Sequence, residues 1–327
     1  MIHKLLVVGG NGFVGSAVCR AALGRGWEVT SISSSGKPFR TPKGHAPSWT
    51  SNVSWHTASA LVPDSYRALL RNKTAVVHTV GTLLETAQYK EAVRGSDVGG
   101  LAKTVFGTWA GGDGSNPLKR GASHPGSYET INRDTALRIC ETYLSVIADA
   151  SSDSASARKP YAFVYLSAED MGRPFIPRRY IETKRQAEKG IEELCHGTGV
   201  RGIFVRPSFI YHPHLRPITS PIAALVSLSA TIHEKAPSVI PTPSRVLRAM
   251  APQPEHPEGL PSALEAMAST LELPPVHLDH VGEGVCRSIE RQDISGPVGV
   301  RRIRQLVGWG ESGPVIHSAD HESPRPE

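Results

Sequence analysis

The sequence predicts an α/β fold: a doubly wound parallel sheet followed by a small C-terminal cap. Three observations carry that expectation. An apolar, β-branched opening over residues 2–8 runs straight into the glycine-rich turn GGNGFVG (residues 9–15) and then into a helical apolar pattern. Short apolar runs then alternate with helical stretches as far as Arg206. Finally, 327 residues with 39% hydrophobic and 20% charged side chains are enough for one large core with an appendage.

Taken in order, residues 2–8 make the first strand, and Val14, Val18, Ala22 and Leu23 mark the buried side of the first helix. After the Gly24 and Gly26 stop, WEVTSIS (residues 27–33) reads as the second strand, with Val29 and Ile32 between polar neighbours. Residues 53–57 predict a third strand, 64–71 a short helix opened by Pro63 and Asp64, and TAVVHTV (residues 74–80) a fourth strand. A helix over 131–148, a fifth strand in YAFVYLSAE (residues 161–169), a helix over 180–195 and a sixth strand over 202–206 continue the rhythm. Strands and helices alternating at this spacing imply a parallel sheet with right-handed crossovers.

The main domain is therefore expected over residues 1–210, interrupted by a glycine-rich exposed insertion at 107–127 and a Ser/Ala-rich linker at 151–159. Residues 211–307 are assigned to the cap, with a helix over 222–234, a proline-crowded stretch over 235–261, and 276–281 leading into a helix that ends near Arg291. Residues 308–327 carry few large apolar groups and are expected to be a disordered tail.

The formal charge of +6 suits anionic partners, but no long basic run with interleaved aromatics occurs, so nucleic acid is not expected. Cys19, Cys140, Cys195 and Cys286 lie far apart without metal-ligand spacing. No apolar run of membrane-spanning length occurs, and the first apolar segment begins at Leu5, which leaves no visible signal peptide or presequence.

The glycine turn is the first residue set that carries chemistry. Gly10, Gly12 and Gly15 follow a strand directly and open a helix, the context in which a GxGxxG pattern brings a pyrophosphate to backbone amides and a helix N-terminus. This predicts a Rossmann-type domain for a nicotinamide dinucleotide. An acidic residue ending the second strand would favour NAD(H); the chain has Ser33, Ser34, Ser35 and Gly36 there, with Lys37 and Arg40 nearby. Hydroxyl and cationic donors suit a 2′-phosphate, which favours NADP(H) over NAD(H).

The second set is Ser167, Tyr180 and Lys184. Tyr180 and Lys184 are four residues apart on one helix face, and Ser167 lies 13 positions upstream at the end of the fifth strand, where a parallel sheet meets its ligand crevice. Such a site suits hydride transfer coupled to proton transfer, with the Tyr180 phenol as acid or base. Its ordinary pKa of about 10 is brought down by the Lys184 ammonium and an oxidised nicotinamide ring. Lys184 would also hold the nicotinamide ribose and Ser167 the substrate oxygen.

Together, GGNGFVG, Ser167, Tyr180-xxx-Lys184 and VRPSFIY (residues 205–211) resemble the extended or atypical short-chain dehydrogenase/reductase superfamily, which includes the NAD-dependent epimerase/dehydratase-like proteins. VTSISSSGKP, AVVHTVGTLLE, YIETKRQAE and PPVHLDHVGEGV resemble more narrowly a fungal mitochondrial branch associated with coenzyme Q biosynthesis and related to a complex I accessory subunit. The resemblance implies NAD(P)(H) held by Gly9, Gly10, Gly12, Phe13, Val14 and Gly15, with Val80 and Gly81 under the bridge and Arg206 and Pro207 beside the nicotinamide. It implies mitochondrial residence and an oxidoreductase acting on a carbonyl, alcohol or quinone-related substrate. The alternative is a non-catalytic, nucleotide-binding assembly factor for a coenzyme Q or respiratory complex, or one working at a membrane surface. Against the family pattern, Ser34 stands where an arginine is usual, Ser208 replaces a glycine, and residues 57–60 lack an acidic adenine contact.

Three further features have alternative readings. His212 with His214, and His277 with His280, are spaced for metal ligands, but no third ligand is visible and no metal is expected. Arg173, Arg178 and Arg179 crowd the loop before Tyr180, either to attract an anionic substrate or as solvated charges. The apolar run over 222–232 either docks a lipid-like molecule or membrane, or closes the cap as an amphipathic helix.

Overall fold

The structure is a computed structural model and describes residues 2–83, 127–151, 160–173, 176–237, 240–252, 259–310 and 313–314. The insertion expected at 107–127, the linker at 151–159 and most of the tail lie outside the described residues.

The chain starts with β1 (Lys4–Val8), whose side chains are almost wholly buried, turns through the glycines and enters α1 (Phe13–Leu23). β2 (Glu28–Ser33), β3 (Val53–Thr57) and β4 (Ala75–His78) follow. The expected helix at 64–71 is instead two 3-10 turns, Pro63–Ser65 and Arg67–Leu70. Tyr66 separates them because its ring is fully buried and its hydroxyl reaches Thr142 at 3.3 Å, which holds its backbone outside helical geometry.

A π-helical turn (Glu129–Asp134) leads into α2 (Thr135–Ser151). β5 (Ala162–Leu166), α3 (Arg178–Cys195) and β6 (Arg201–Arg206) complete the six strands the sequence predicts. Then come β7 (Ile210–Tyr211), α4 (Thr219–Lys235), α5 (Pro243–Met250), α6 (Ala263–Glu272), β8 (Val276–His277), α7 (Leu278–Glu290), β9 (Gly296–Gly299) and α8 (Val300–Leu306). β10 (Trp309–Gly310) pairs antiparallel with β11 (Gly313–Pro314).

The main sheet is seven-stranded and parallel, in the order β3-β2-β1-β4-β5-β6-β9. The strand order reverses between β1 and β4, and a doubly wound sheet binds its ligand at the carboxyl end of that switch point. One face is covered by α1 and α7 through Val18, Ala22, Val281 and Val285, and the other by α2 and α3 through Ile139, Tyr143, Ala187 and Ile191.

The region assigned to a cap at 211–307 divides in two. Only α4, α5, α6 and the small β7–β8 ladder lie off the main sheet; α7, β9 and α8 return to it and supply its seventh strand. The reason is apolar matching, since Leu278, Val281, Val285, Cys286 and Ile289 make one buried α7 face that only α1 and the sheet can cover. The helices touch so closely that a Cβ at Gly282 would lie 2.6 Å from the Ala17 carbonyl oxygen. Arg25 reaches Glu283 at 2.9 Å and Glu290 at 3.0 Å along the same seam.

The cap is anchored by Gly172 N–H donating to Thr270 Oγ1 at 2.6 Å and by Arg173 donating to the Pro261 carbonyl at 2.6 Å. α4 buries only the small residues Ala223 and Ala230, while Leu225, Leu228 and Ile232 are 69%, 58% and 54% exposed. Its large aliphatic side chains therefore face outward and do not close the cap.

Gly282→Val should destabilise the whole domain by about 2–4 kcal/mol, because its branches have no space against the α1 backbone. Urea unfolding should show one cooperative transition at lower denaturant, with the β1–α1 half of the sheet unfolding along with the seam.

Candidate functional site

At the end of β1 the chain must turn sharply into α1. Gly15 permits this, since a Cβ there would stand 2.2 Å from the Gly9 carbonyl oxygen, and Gly9 itself has φ +85°. Gly12 is different: it is exposed, and a Cβ there would meet only the Gly9 carbonyl, at 3.1 Å. Its open side lies at the N-terminus of α1, which has no side-chain cap and no acidic residue in its first turn. These features fit a pyrophosphate received by backbone N–H groups and the positive end of the helix. Phe13 and Val14 begin the helix, and the Arg216 guanidinium stacks over the Phe13 ring at 4.0 Å.

The loop after β2 lies beside this turn. Ser33 Oγ accepts from Gly36 N–H at 3.1 Å, so its oxygen helps to build the loop. Ser34 and Lys37 are exposed. On the other side of the switch point, Thr79 ties the end of β4 to β1, and Val80 packs against the core. Gly81 is exposed above Lys184: a Cβ there would come within 3.0 Å of Nζ.

Tyr180, Lys184 and Ser167 converge at the carboxyl end of β5. Lys184 is fully buried; its Nζ donates to the Leu166 carbonyl at 2.8 Å and sits 4.7 Å from the Tyr165 ring centre and 5.9 Å from that of Tyr180. Burial pushes its pKa down to about 7, with Arg185 adding to the effect and Glu188 opposing it. Tyr180 is half-buried, edge-on to Tyr128 at 6.0 Å.

Ser167 is buried, and its hydroxyl accepts from Arg185 Nη1 at 3.0 Å. Arg185 also donates to the Ala168 carbonyl at 2.9 Å and to Glu188 at 2.7 Å. Glu188 simultaneously binds Arg206, so the Arg206 guanidinium is turned to α3. Pro207 lends its carbonyl to Glu169 N–H at 3.0 Å. Ser208 donates to the Pro274 carbonyl at 2.6 Å, which directs its hydroxyl to the cap and away from the crevice.

Several members of this site were not singled out in the sequence. Glu188 continues the Tyr180 and Lys184 spacing by four, a signal that was present in YIETKRQAE. Asn132 lies in the π-helical turn, accepts from Thr82 N–H at 2.9 Å, and gives its main-chain carbonyl to the Tyr165 hydroxyl at 2.5 Å. His78 is buried below them. The Thr135 hydroxyl proton goes to the Ile131 carbonyl at 2.7 Å, so Thr135 accepts from His78 Nε2–H at 3.1 Å. Burial and the Lys184 charge push its pKa down to about 3, which keeps the ring neutral. A buried histidine at a strand end carries no such signal in sequence.

The arginines before Tyr180 are each paired with a carboxylate. Arg173 grips Asp170 with bonds of 2.9 and 2.7 Å, Arg179 grips Glu129 with 2.7 and 2.6 Å, and Arg178 meets Glu182 at 2.6 Å. The histidine pairs do gain a third neighbour: donor atoms of His212, His277 and Asp279 lie within 4.8 Å of one another. Hydrogen bonding argues against coordination. His212 Nδ1 accepts from His214 and Leu215 N–H at 3.1 Å, His277 Nδ1 caps α7 through Asp279 N–H, and Asp279 is ion-paired with Arg20. With Nδ1 accepting, the ring proton resides on Nε2, where a metal would have to bind.

A strand, glycine turn and helix at the switch point of a parallel sheet, with a Tyr-xxx-Lys pair across the crevice, define the class of NAD(P)-type Rossmann proteins. Residues 5–103 match the profile of the NAD dependent epimerase/dehydratase family. Over 214 residues the chain is 36% identical to MIOREX complex component 2 of Saccharomyces cerevisiae, a match covering 65% of this chain and 75% of the yeast protein. An uncharacterised chloroplastic protein of Arabidopsis thaliana is 24% identical over 311 residues, covering 93% of this chain and 77% of that protein. The chain belongs to the NAD dependent epimerase/dehydratase-like short-chain dehydrogenase/reductase family, in the branch of the yeast protein. Among solved structures, an NADPH-bound tyrosine-to-phenylalanine variant of ElxO superposes with a TM-score of 0.54 at 14% identity, covering 93% of this chain and all (100%) of the other. A short-chain oxidoreductase from Burkholderia thailandensis gives 0.51 at 13% identity, with 94% and 98% covered. Both show the same fold.

The buried Lys184 predicts a pH dependence. Below about pH 7 the amine is charged in folded and unfolded chains alike; from pH 7 to about 10.5 the unfolded chain holds a proton that the folded one lacks, so stability rises with pH. Compared with Lys184→Met, the wild type should therefore gain stability as pH is raised from 7 to 9. Urea titrations of both proteins at each pH measure it, and parallel curves would contradict the buried amine.

Proposed function

We propose that this chain binds a nicotinamide dinucleotide, NADP(H) in preference to NAD(H), and uses it to interconvert a carbonyl and an alcohol. The observation that carries the proposal is the Tyr180–Lys184 pair held at the end of β5 by the Leu166 carbonyl and the Tyr165 ring, across the switch point from the open glycine turn. The dinucleotide supplies the hydride when bound. Gly9, Gly10, Gly12, Phe13, Val14 and Gly15 hold its pyrophosphate, and Ser34 and Lys37 receive the 2′-phosphate. Tyr180 gives or takes the proton at the substrate oxygen. Lys184, with a pKa near neutrality, favours the phenolate when charged and binds the ribose. Ser208, tied to Pro274, leaves space for the nicotinamide ring.

Family resemblance and the MIOREX relative support mitochondrial residence, a quinone-related substrate and association with a coenzyme Q or respiratory complex. A second reading is a nucleotide-binding assembly factor without turnover. It is favoured by the burial of Ser167, which Arg185 covers.

Titration with NADPH, followed by nucleotide fluorescence, tests the first part. Gly12→Asp should weaken NADPH at least about 100-fold, by setting a carboxylate where the pyrophosphate binds. Tyr180→Phe should leave that affinity within about threefold while lowering turnover of a carbonyl and quinone panel by about 10²-fold or more. NADPH binding without turnover of any panel member would transfer the proposal to the assembly reading, and binding of neither NADPH nor NADH would end both.

A further inference from the structure

We infer that Asn11 sets the preference between the two dinucleotides, acting as a latch between the pyrophosphate turn and the loop that meets the adenosine ribose. The inference rests on the nucleotide-binding reading above.

The loop after β2 is shaped first by its own contacts. Gly36 N–H donates to Ser33 Oγ at 3.1 Å, and Lys37 N–H donates to Ser35 Oγ at 3.3 Å. Gly36 adopts φ +61° and is pressed onto the end of β3, where a Cβ would lie 2.2 Å from Thr57 Oγ1. These contacts give the loop its form. The tie to the glycine turn comes from Asn11, whose Nδ2 donates one proton to Ser35 Oγ at 3.1 Å and the other to the Lys37 carbonyl at 3.2 Å. The amide orientation follows from the acceptors: flipping it would set Oδ1 against the Lys37 carbonyl oxygen.

The consequence concerns which groups remain for a ligand. Ser33 and Ser35 oxygens accept hydrogen bonds within the loop and from the latch, whereas Ser34 and Lys37 side chains are exposed and make no hydrogen bond or ion pair among the described residues. These two side chains are on offer to a 2′-phosphate. NADP(H) carries two separated anionic groups, the pyrophosphate and the 2′-phosphate; NAD(H) carries only the first. Asn11 stands in the turn that receives one and fastens the loop that presents donors to the other. It therefore fixes the spacing between two anion sites, and that spacing matters to NADP(H) alone.

The experiment is a set of dissociation constants for NADPH and NADH, by nucleotide fluorescence, on wild type, Asn11→Ala, Ser35→Ala, Lys37→Ala and the Asn11→Ala/Lys37→Ala pair. Ser35→Ala removes one acceptor of the latch without altering the glycine turn, and guards against a turn that has lost its shape. The wild type should prefer NADPH. Asn11→Ala should lower the NADPH-to-NADH preference about five- to tenfold, the scale of one or two hydrogen bonds, and Ser35→Ala should lower it in the same direction by less. The double variant should lose little beyond Lys37→Ala alone, since the latch acts by placing Lys37. A preference unchanged in Asn11→Ala, or equal weakening of both nucleotides, overturns the latch while leaving the binding reading intact. A wild type that favours NADH overturns the latch and the NADP(H) preference together. A wild type that binds neither nucleotide removes the reading on which both rest.

Discussion

The candidate site depends on the burial of one amine. Lys184 lies where the ends of β4 and β5, the π-helical turn and α3 meet, and each of these elements adjusts to it. The Leu166 carbonyl accepts its proton, the Tyr165 ring covers it, and the backbone above it is glycine because a Cβ at Gly81 would come within 3.0 Å of Nζ. Burying a charge with so few polar partners is costly, and the structure answers by moving the pKa to about 7. Burial, with the Lys184 charge adding to it, keeps His78 neutral one layer below. Tyr165 then has its hydroxyl free for the Asn132 carbonyl, which the π-helical turn releases from the regular helical ladder.

Around this amine the basic excess of the chain is largely committed. Arg173, Arg179, Arg185 and Arg206 each face a carboxylate, and Glu188 serves two of them at once. A half-buried guanidinium with a bidentate partner acts as a strut, holding loop to helix or strand to helix. A surface count of positive charge therefore overstates what is offered to an anion. At the crevice, Lys37 is a cation left in solvent, on the loop where the chain lacks an acidic residue after β2.

Much of the architecture was readable from the sequence, for reasons that differ between elements. β1 and β6 carry short apolar runs and β3 alternates from Val53 to Trp55, and the limits of all three agree closely with expectation. Tyr180 and Lys184 were found because a spacing of four is local information. The return of α7 and β9 to the main sheet was not local: GPVG (Gly296–Gly299) has no strand pattern of its own and becomes a strand because β6 offers an open edge. Likewise Tyr66 reads as one position in a short helix, and only the distant Thr142 explains why it breaks one. Arg173 and Arg179 looked available because their carboxylates stand elsewhere, at Asp170 across a turn and at Glu129 fifty positions upstream.

The pairing of α1 with α7 has a consequence for how the protein is made. α1 leaves the ribosome well before α7, yet the flank it turns to Val281 and Val285 is covered only when residues close to 290 have been translated. Between those two points the chain carries an unfinished apolar surface directly behind the glycine turn, and the sheet still lacks the strand that closes its β6 edge. Nascent chains of this kind invite holding factors until α7 has emerged. A chain cut short before α7 would lose more than a peripheral helix, because the outer flank of the helix that follows the glycine turn would stay uncovered.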